Sequence, residues 1–319
     1  MIYEKAINYC ADRWPEVFTE EALEKINYKC TPKGMLTQLL YLAKVACDKC
    51  DRCDSQANRY GSKSVFADGD IGAKIFVVGE GPGQFEQRTL IPFTHYVEWI
   101  SSRCGFCNKL DACYPRKTML SGERLPMTEC KQAYCEDSEV IKRSEDRTRV
   151  PATVSNILNK AIYPEFTRDC WNKVKAIRGK ARVESDLYIT NVVKCRSVAF
   201  GKDIQPHVPC RNACKVWMDI QLTLVQPKIL ILLGGVAGQY FLGKDFMISK
   251  SNGLFNEVKA LSIAYEGLPR SVEYIGCGYH PSAIGRVEDD VTKKDMLAGL
   301  KGVFVKAREQ LDKKVEVTV

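Results

Sequence analysis

An apolar run that breaks into glycines and a proline constrains this chain more than any other stretch: Ile75-Phe76-Val77-Val78-Gly79-Glu80-Gly81-Pro82-Gly83-Gln84-Phe85-Glu86. The run is of strand type, and beyond the glycines the chain turns polar and helix-compatible. In an α/β protein a buried strand delivers such a loop to the carboxyl edge of the sheet, where ligands bind. Gly79, Gly81 and Gly83 let main-chain N–H groups approach a ligand with no Cβ in the way. Downstream, Pro92-Phe93 offers a stiff turn and a flat ring able to stack on a planar ligand.

Three further strands share the same plan. Asp186–Asn191 ends in a polar side chain, Ile229–Leu233 runs into Gly234-Gly235 with a helix expected over Val236–Leu242, and Val272–Cys277 delivers Tyr279-His280-Pro281-Ser282. Strands alternating with helices predict a three-layer α/β/α sandwich around a mostly parallel, four-stranded sheet covered on both faces. Residues 1–46 show helical spacing, in Glu21–Tyr28 and Met35–Val45, and are expected to form a helical cap ahead of a main domain over 47–310. Helical pattern returns at Val154–Ala161 after residues 94–150, a cysteine-rich insertion with a charge-dense exit.

With 319 residues the chain can bury a full core. Its 47 basic and 39 acidic residues give a formal charge of +8, which permits a nucleic-acid partner without requiring one. The charged, amphipathic start is unlike a signal peptide, and no apolar run approaches the ~18 residues of a membrane span. Fifteen cysteines without an export signal point to metal ligation in a reducing compartment, so a cytoplasmic monomer is expected.

Three strand ends carry distinctive chemistry: Glu80 to Glu86, Asn191 and His280. An Asn amide pairs an acceptor with donors and can read the edge of a pyrimidine. A pocket histidine can donate to an oxygen that gains charge as a bond breaks. The segments GEGPGQFEQRTLIPF (79–93), YITNVVKCR (188–196), CKVWMDIQL (214–222), PKILILLGGVAGQYFLG (227–243) and HPSAIGR (280–286) occur in this order. Together they resemble the iron–sulfur, family 4 type of the uracil-DNA glycosylase superfamily. The resemblance covers most of residues 47–286 outside the insertion.

That resemblance implies an enzyme that flips a non-canonical pyrimidine out of DNA and hydrolyses its N-glycosidic bond, leaving an abasic site. By it, Glu80, Gly81 and Gly83 line the base pocket and Glu86 supports it. Phe93 stacks on the base, Asn191 reads its edge and His280 stabilises the leaving base. Ile284 takes the place of a wedge that fills the gap in the duplex, and Ser282 and Arg286 meet the DNA backbone. Gly81 stands where another branch has a water-activating Asp, which leaves Glu80, Glu86 or the phosphates to guide the water.

The resemblance also implies a [4Fe–4S] cluster. Its expected ligands are Cys50, Cys53, Cys195 and Cys214, with Cys47/Cys50 and Cys210 as alternatives, and the same sulfur set suits zinc. Cys104, Cys107, Cys130 and Cys135 in the insertion have the makings of a separate zinc site. Two departures bear on substrate. The insertion begins beside Phe93, and Leu90 stands where the family has Gly. Gly83 stands where the strict uracil-excising branch has an aromatic that rejects a 5-substituent, although ordinary family members share this glycine. The base is therefore either a bulky 5-modified pyrimidine, as for the anti-phage glycosylases that remove glucosylated hydroxymethylcytosine, or uracil. A non-catalytic DNA-binding protein and a structural iron–sulfur component are the other readings.

Overall fold

The computed structural model describes residues 2–28, 30–52, 64–83, 86–87, 90–93, 96–98, 149–151, 153–162, 165–166, 186–199 and 202–313. In chain order the helices are α1 (Ile2–Arg13), α2 (Glu20–Leu23), α3 (Pro32–Asp48), α4 (Thr153–Ile162), α5 (Val208–Ala213), α6 (Lys215–Val225), α7 (Gly234–Leu242), α8 (Ile248–Ser251), α9 (Pro281–Arg286) and α10 (Asp290–Asp312). The strands are β1 (Asp68–Gly69), β2 (Ile75–Gly79), β3 (Tyr96–Glu98), β4 (Arg149–Pro151), β5 (Leu187–Asn191), β6 (Val198–Ala199), β7 (Lys202–Asp203), β8 (Ile229–Leu233), β9 (Phe255–Glu257) and β10 (Tyr274–Gly278).

Four of these strands, β5, β2, β8 and β10, are parallel neighbours and every residue of β2, β5 and β8 is buried. That explains their unbroken apolar runs: a strand covered on both faces has no solvent side on which to alternate. The sheet has six strands, not the expected four, in the order β1-β5-β2-β8-β10-β9. The two additions are antiparallel edges, Asp68–Gly69 and Phe255–Glu257, too short to show a period of their own. The third layer is present on both sides. One core gathers α3, α6 and α7 side chains such as Leu39, Met218 and Phe241 against Phe76, Tyr188 and Leu230. The other gathers Leu158 of α4 and Leu300, Val303 and Phe304 of α10 against Val77, Ile189 and Ile231.

The helical cap is part of the first core, because Trp14, Phe18, Leu39 and Ala43 are buried in the same cluster as the sheet residues. Its expected end at residue 46 falls inside α3, which Thr31 caps and which runs on to Asp48. The cysteine-rich insertion leaves and re-enters through an antiparallel pair, β3 with β4, in which Val97 faces Val150. Its expected zinc ligands, Cys104, Cys107, Cys130 and Cys135, lie outside the described residues, as does Cys53. Among the described residues no helix is long and apolar enough to cross a membrane.

Candidate active site

The parallel register brings the strand ends to one level. Gly79 at the end of β2 pairs with Asn191 at the end of β5, and Gly278 of β10 pairs with Leu233 of β8. Glu80, Asn191 and His280 therefore leave neighbouring strands on the same edge of the sheet. Gly79 forms the floor: a Cβ there would lie 2.3 Å from both Asn191 Oδ1 and Phe93 Cζ, so only glycine permits this approach.

Glu86 organises the loop above that floor. One carboxylate oxygen accepts from the Gly83 N–H at 2.7 Å, and the other accepts from the Phe93 N–H at 2.5 Å and from Asn191 Nδ2 at 3.4 Å. These bonds account for both oxygens and give Glu86 a holding role. Asn191 has no exposed surface, and its Oδ1 is buried without a hydrogen-bond partner among the described residues. An orphaned buried acceptor costs about 1–3 kcal/mol, a penalty that a ligand donor at Oδ1 would relieve.

Phe93 is held in a left-handed conformation, φ 55°, with its ring 5.0 Å from the His280 imidazole at a 33° tilt. Leu90 is also left-handed, at φ 59°, which gives a physical reason for the family's Gly at that position. Two strained residues on either side of Ile91-Pro92 fold the segment back so that the Phe93 ring is buried at the pocket.

His280 caps α9: its Nδ1 accepts from the Ser282 N–H at 3.2 Å and lies 2.7 Å from Ser282 Oγ. With Nδ1 an acceptor, the assigned tautomer carries its proton on Nε2. Burial, and then the Arg286 guanidinium, push its pKa down to about 4, so the ring is neutral at pH 7 and Nε2–H is a donor. Glu80 is half-buried, and desolvation raises its pKa while Arg211 and Arg286 oppose the rise. Arg211 was not picked out from sequence. It sits on α5 with Nε bonded to the Pro206 carbonyl at 2.9 Å, and Pro206 lies against Gly81.

Gly83 opens on a polar wall. A Cβ there would meet Glu86 Oε2 at 3.4 Å and Asp203 Oδ2 at 3.9 Å, both ordinary contacts. Asp203 is paired with Arg196 and half of its side chain is exposed. The expectation for Ile284 needs correction. The six-residue α9 turns Pro281 and Ile284 inward, Ile284 has no exposed surface, and it packs in the second core instead of facing a duplex. Ser282 is half-buried beside His280, and Arg286 is partly exposed.

On the other side of β5 lie the cysteines. Cys47 lies in the last turn of α3, Cys195 comes after β5 and Cys214 joins α5 to α6, all buried. Burial pushes the Cys47 thiol well above its ordinary range, the Ser64 hydroxyl pulls it back, and the negative character of Cys214 and Cys195 raises it further. Cys47, the alternative to Cys53, thus interacts electrostatically with Cys214 and Cys195, while Cys53 lies outside the described residues. Cys50, half-buried, stands one turn on, its N–H bonded to the Cys47 carbonyl. Among the described residues no group of three or more His, Cys, Asp or Glu side chains is arranged to hold a metal ion.

A mostly parallel α/β sheet that brings Glu80, Asn191 and His280 to the carboxyl edge of neighbouring strands belongs to the doubly wound class, in which ligands bind beyond that edge. The family model of the uracil DNA glycosylase superfamily matches residues 66–301, so the chain belongs to that superfamily. Members of this superfamily are DNA glycosylases, hydrolases that act on DNA.

Proposed function

We propose that this protein is an iron–sulfur DNA glycosylase that excises a 5-modified pyrimidine. The observation that carries glycosylase chemistry is the gathering of Asn191 and His280 about Phe93 at one edge of the sheet, with Asn191 Oδ1 buried and unmatched among the described residues. A pyrimidine turned out of the stack lies on the Phe93 ring and gives a ring or exocyclic N–H to Oδ1. Bond cleavage leaves positive charge on the sugar and negative charge on the base. The neutral His280 donates from Nε2 to the base oxygen that takes up that charge. Glu86 is occupied by Gly83, Phe93 and Asn191, so Glu80 is the carboxylate left to guide the water. Arg286 and Ser282 meet the flanking phosphate.

The preference for a 5-modified base rests on Gly83, whose missing side chain opens towards Asp203 and Arg196, polar groups suited to a hydroxylated substituent. The long insertion also begins just past Phe93 in the sequence. Uracil is the second reading, because the Asn191 amide serves its edge equally well. Incubation with uracil-DNA and with phage DNA carrying glucosylated hydroxymethylcytosine, and then an assay for abasic sites, separates the two. Abasic sites in neither substrate would leave a DNA-binding protein on a glycosylase scaffold.

The cluster would be held by Cys47, Cys50, Cys195 and Cys214. Support for thiolates there comes from the buried cation Lys194, which interacts electrostatically with Cys214, Cys47 and Cys195, although the described side chains are not arranged as a metal site. Held by these residues, a cluster would link α3 and the residues around Cys195 and Cys214 to the end of β5.

A further inference from the structure

His280 stands two residues beyond Gly278, the last residue of β10, and a side chain outside the sheet fixes the main chain at that exit. β9 pairs with β10 as far as Phe255 opposite Gly276. One step further, two residues face one: Gly253 N–H donates to the Cys277 carbonyl, and Cys277 N–H donates to the Leu254 carbonyl, both at 2.9 Å. Gly253 is left-handed there, at φ 82°, so this is a bulge of the glycine type, which ends the pairing and bends the chain away from β10. Along a strand every second N–H faces the same neighbour, so the next donor on this side is Tyr279 N–H. Its acceptor among the described residues is a side chain, Asn252 Oδ1, at 3.3 Å.

Asn252 is itself held for this contact. Its Nδ2 donates to the Met296 carbonyl of α10 at 3.4 Å, and the two partners, a carbonyl and an N–H, fix which end of the amide is which. The amide lies against Gly299 of the same helix, where a Cβ would come within 2.2 Å of Nδ2, so only glycine lets α10 approach this closely. On the opposite side of the exit, a Cβ at Gly234 would lie 3.0 Å from His280 Cβ. His280 thus leaves the sheet between Gly234, which follows β8, and the Asn252 amide on the β9 side, and Ser282 then meets its ring. We propose that Asn252 is a positioning residue for His280. Its side chain supplies the rung that the bulge removes, and so sets the depth at which Nε2 meets the base. For its effect on excision this rests on the glycosylase reading above.

Imidazole resonances and excision test it together. With nitrogen-labelled histidine, His280 is one of three histidines, identified by the signals that His280→Ala loses. Asn252→Ala, which removes the acceptor, should move the His280 ring signals. On whichever of the two DNAs the wild type cleaves, it should lower the single-turnover rate by about 10- to 10²-fold with DNA affinity unchanged. In a His280→Ala background the same substitution should cost no more than about twofold, because the ring it acts through is gone. Asn252→Asp keeps the Oδ1 acceptor and should rescue both readouts. Asn252→Leu fills the space without an acceptor and takes the place of Asn252→Ala if that variant does not fold. Unmoved His280 signals in the folded Ala or Leu variant, an equal loss of excision with and without the His280 ring, or an Asn252→Asp protein that behaves like Asn252→Ala each overturns the proposal. The imidazole spectrum needs no substrate, so a protein that cleaves neither DNA would fail the glycosylase reading and still leave this placement tested.

Discussion

Asn191 Nδ2 donates to Glu86 Oε1 at 3.4 Å, which leaves Oδ1 as the unmatched end of the amide among the described residues. Glu86 also accepts from the Gly83 and Phe93 N–H groups, so it ties that loop, Phe93 and Asn191 together. Glu86→Ala should lower stability by at least ~1.5–3 kcal/mol in a denaturant titration, the worth of a single charge-assisted bond of this kind. Excision should fall further than stability accounts for. A folded variant with wild-type excision would remove Glu86 from the site.

Asn191→Asp leaves the Oδ1 end in place and turns the Nδ2 end, which donates to Glu86, into an acceptor beside that carboxylate. The two carboxylates should repel and loosen Asn191 and Phe93 together, so excision should fall on uracil-DNA and on glucosylated DNA alike. Parallel assays on the two DNAs read the outcome; a variant that keeps or raises activity on the glucosylated base alone would mean that the Nδ2 end meets the base.

His280→Ala should cut the excision rate by about 10²–10³, the usual loss for one donor to a developing anion, with DNA binding little changed. The pH profile supplies an independent check. The folded pKa is about 4 against an ordinary 6.5, so the native ring stays neutral while the unfolded one charges. The His280 contribution to stability therefore falls as pH drops from about 6.5 towards 4, and is level above that window. The excision rate should show no histidine step near pH 6.5. A step there that disappears in His280→Ala would contradict the neutral-donor role.

Gly83→Tyr would place a ring between Glu86 and Asp203, in space that now meets a Cβ only at ordinary contact distances. It should abolish excision of a bulky 5-substituted base and spare uracil. Equal loss on both would mean that Gly83 does not face the substituent.

Protein prepared without oxygen should be brown and carry about four irons, as a [4Fe–4S] centre requires. Cys195→Ser should lose the colour and solubility together. A coloured, iron-loaded Cys195→Ser protein would exclude Cys195 from the ligand set.

The sequence made the four central strands legible because β2, β5 and β8 are buried on both faces and show it as unbroken apolar runs. Asn191 and His280 were legible as polar residues where such runs stop. The edge strands were not, since two or three residues carry no period. Ile284 resembled a wedge by its distance from His280, yet a helix of six residues gives its i and i+3 positions one inward face. Lys194 drew no attention because a lysine in a polar stretch is ordinarily solvated. Its burial is matched by acceptors on Thr190, Asn191 and Gln221, the last brought in by the fold, which no local pattern announces. Arg211 was hidden for the same reason, its nearness to Glu80 being a product of the fold.

The pairing of Gly79 with Asn191, and of Gly278 with Leu233, works as a gauge. Strands advance ~3.3 Å per residue, and a one-residue slip would also turn each side chain to the opposite face. Depth in the recess is thus set once, by rungs that no loop can alter. Growth beyond the last rung leaves that depth untouched, as where the chain departs past Phe93 into its long insertion. A scaffold of this kind can acquire new tastes in bases by lengthening its loops while its chemistry keeps the same level.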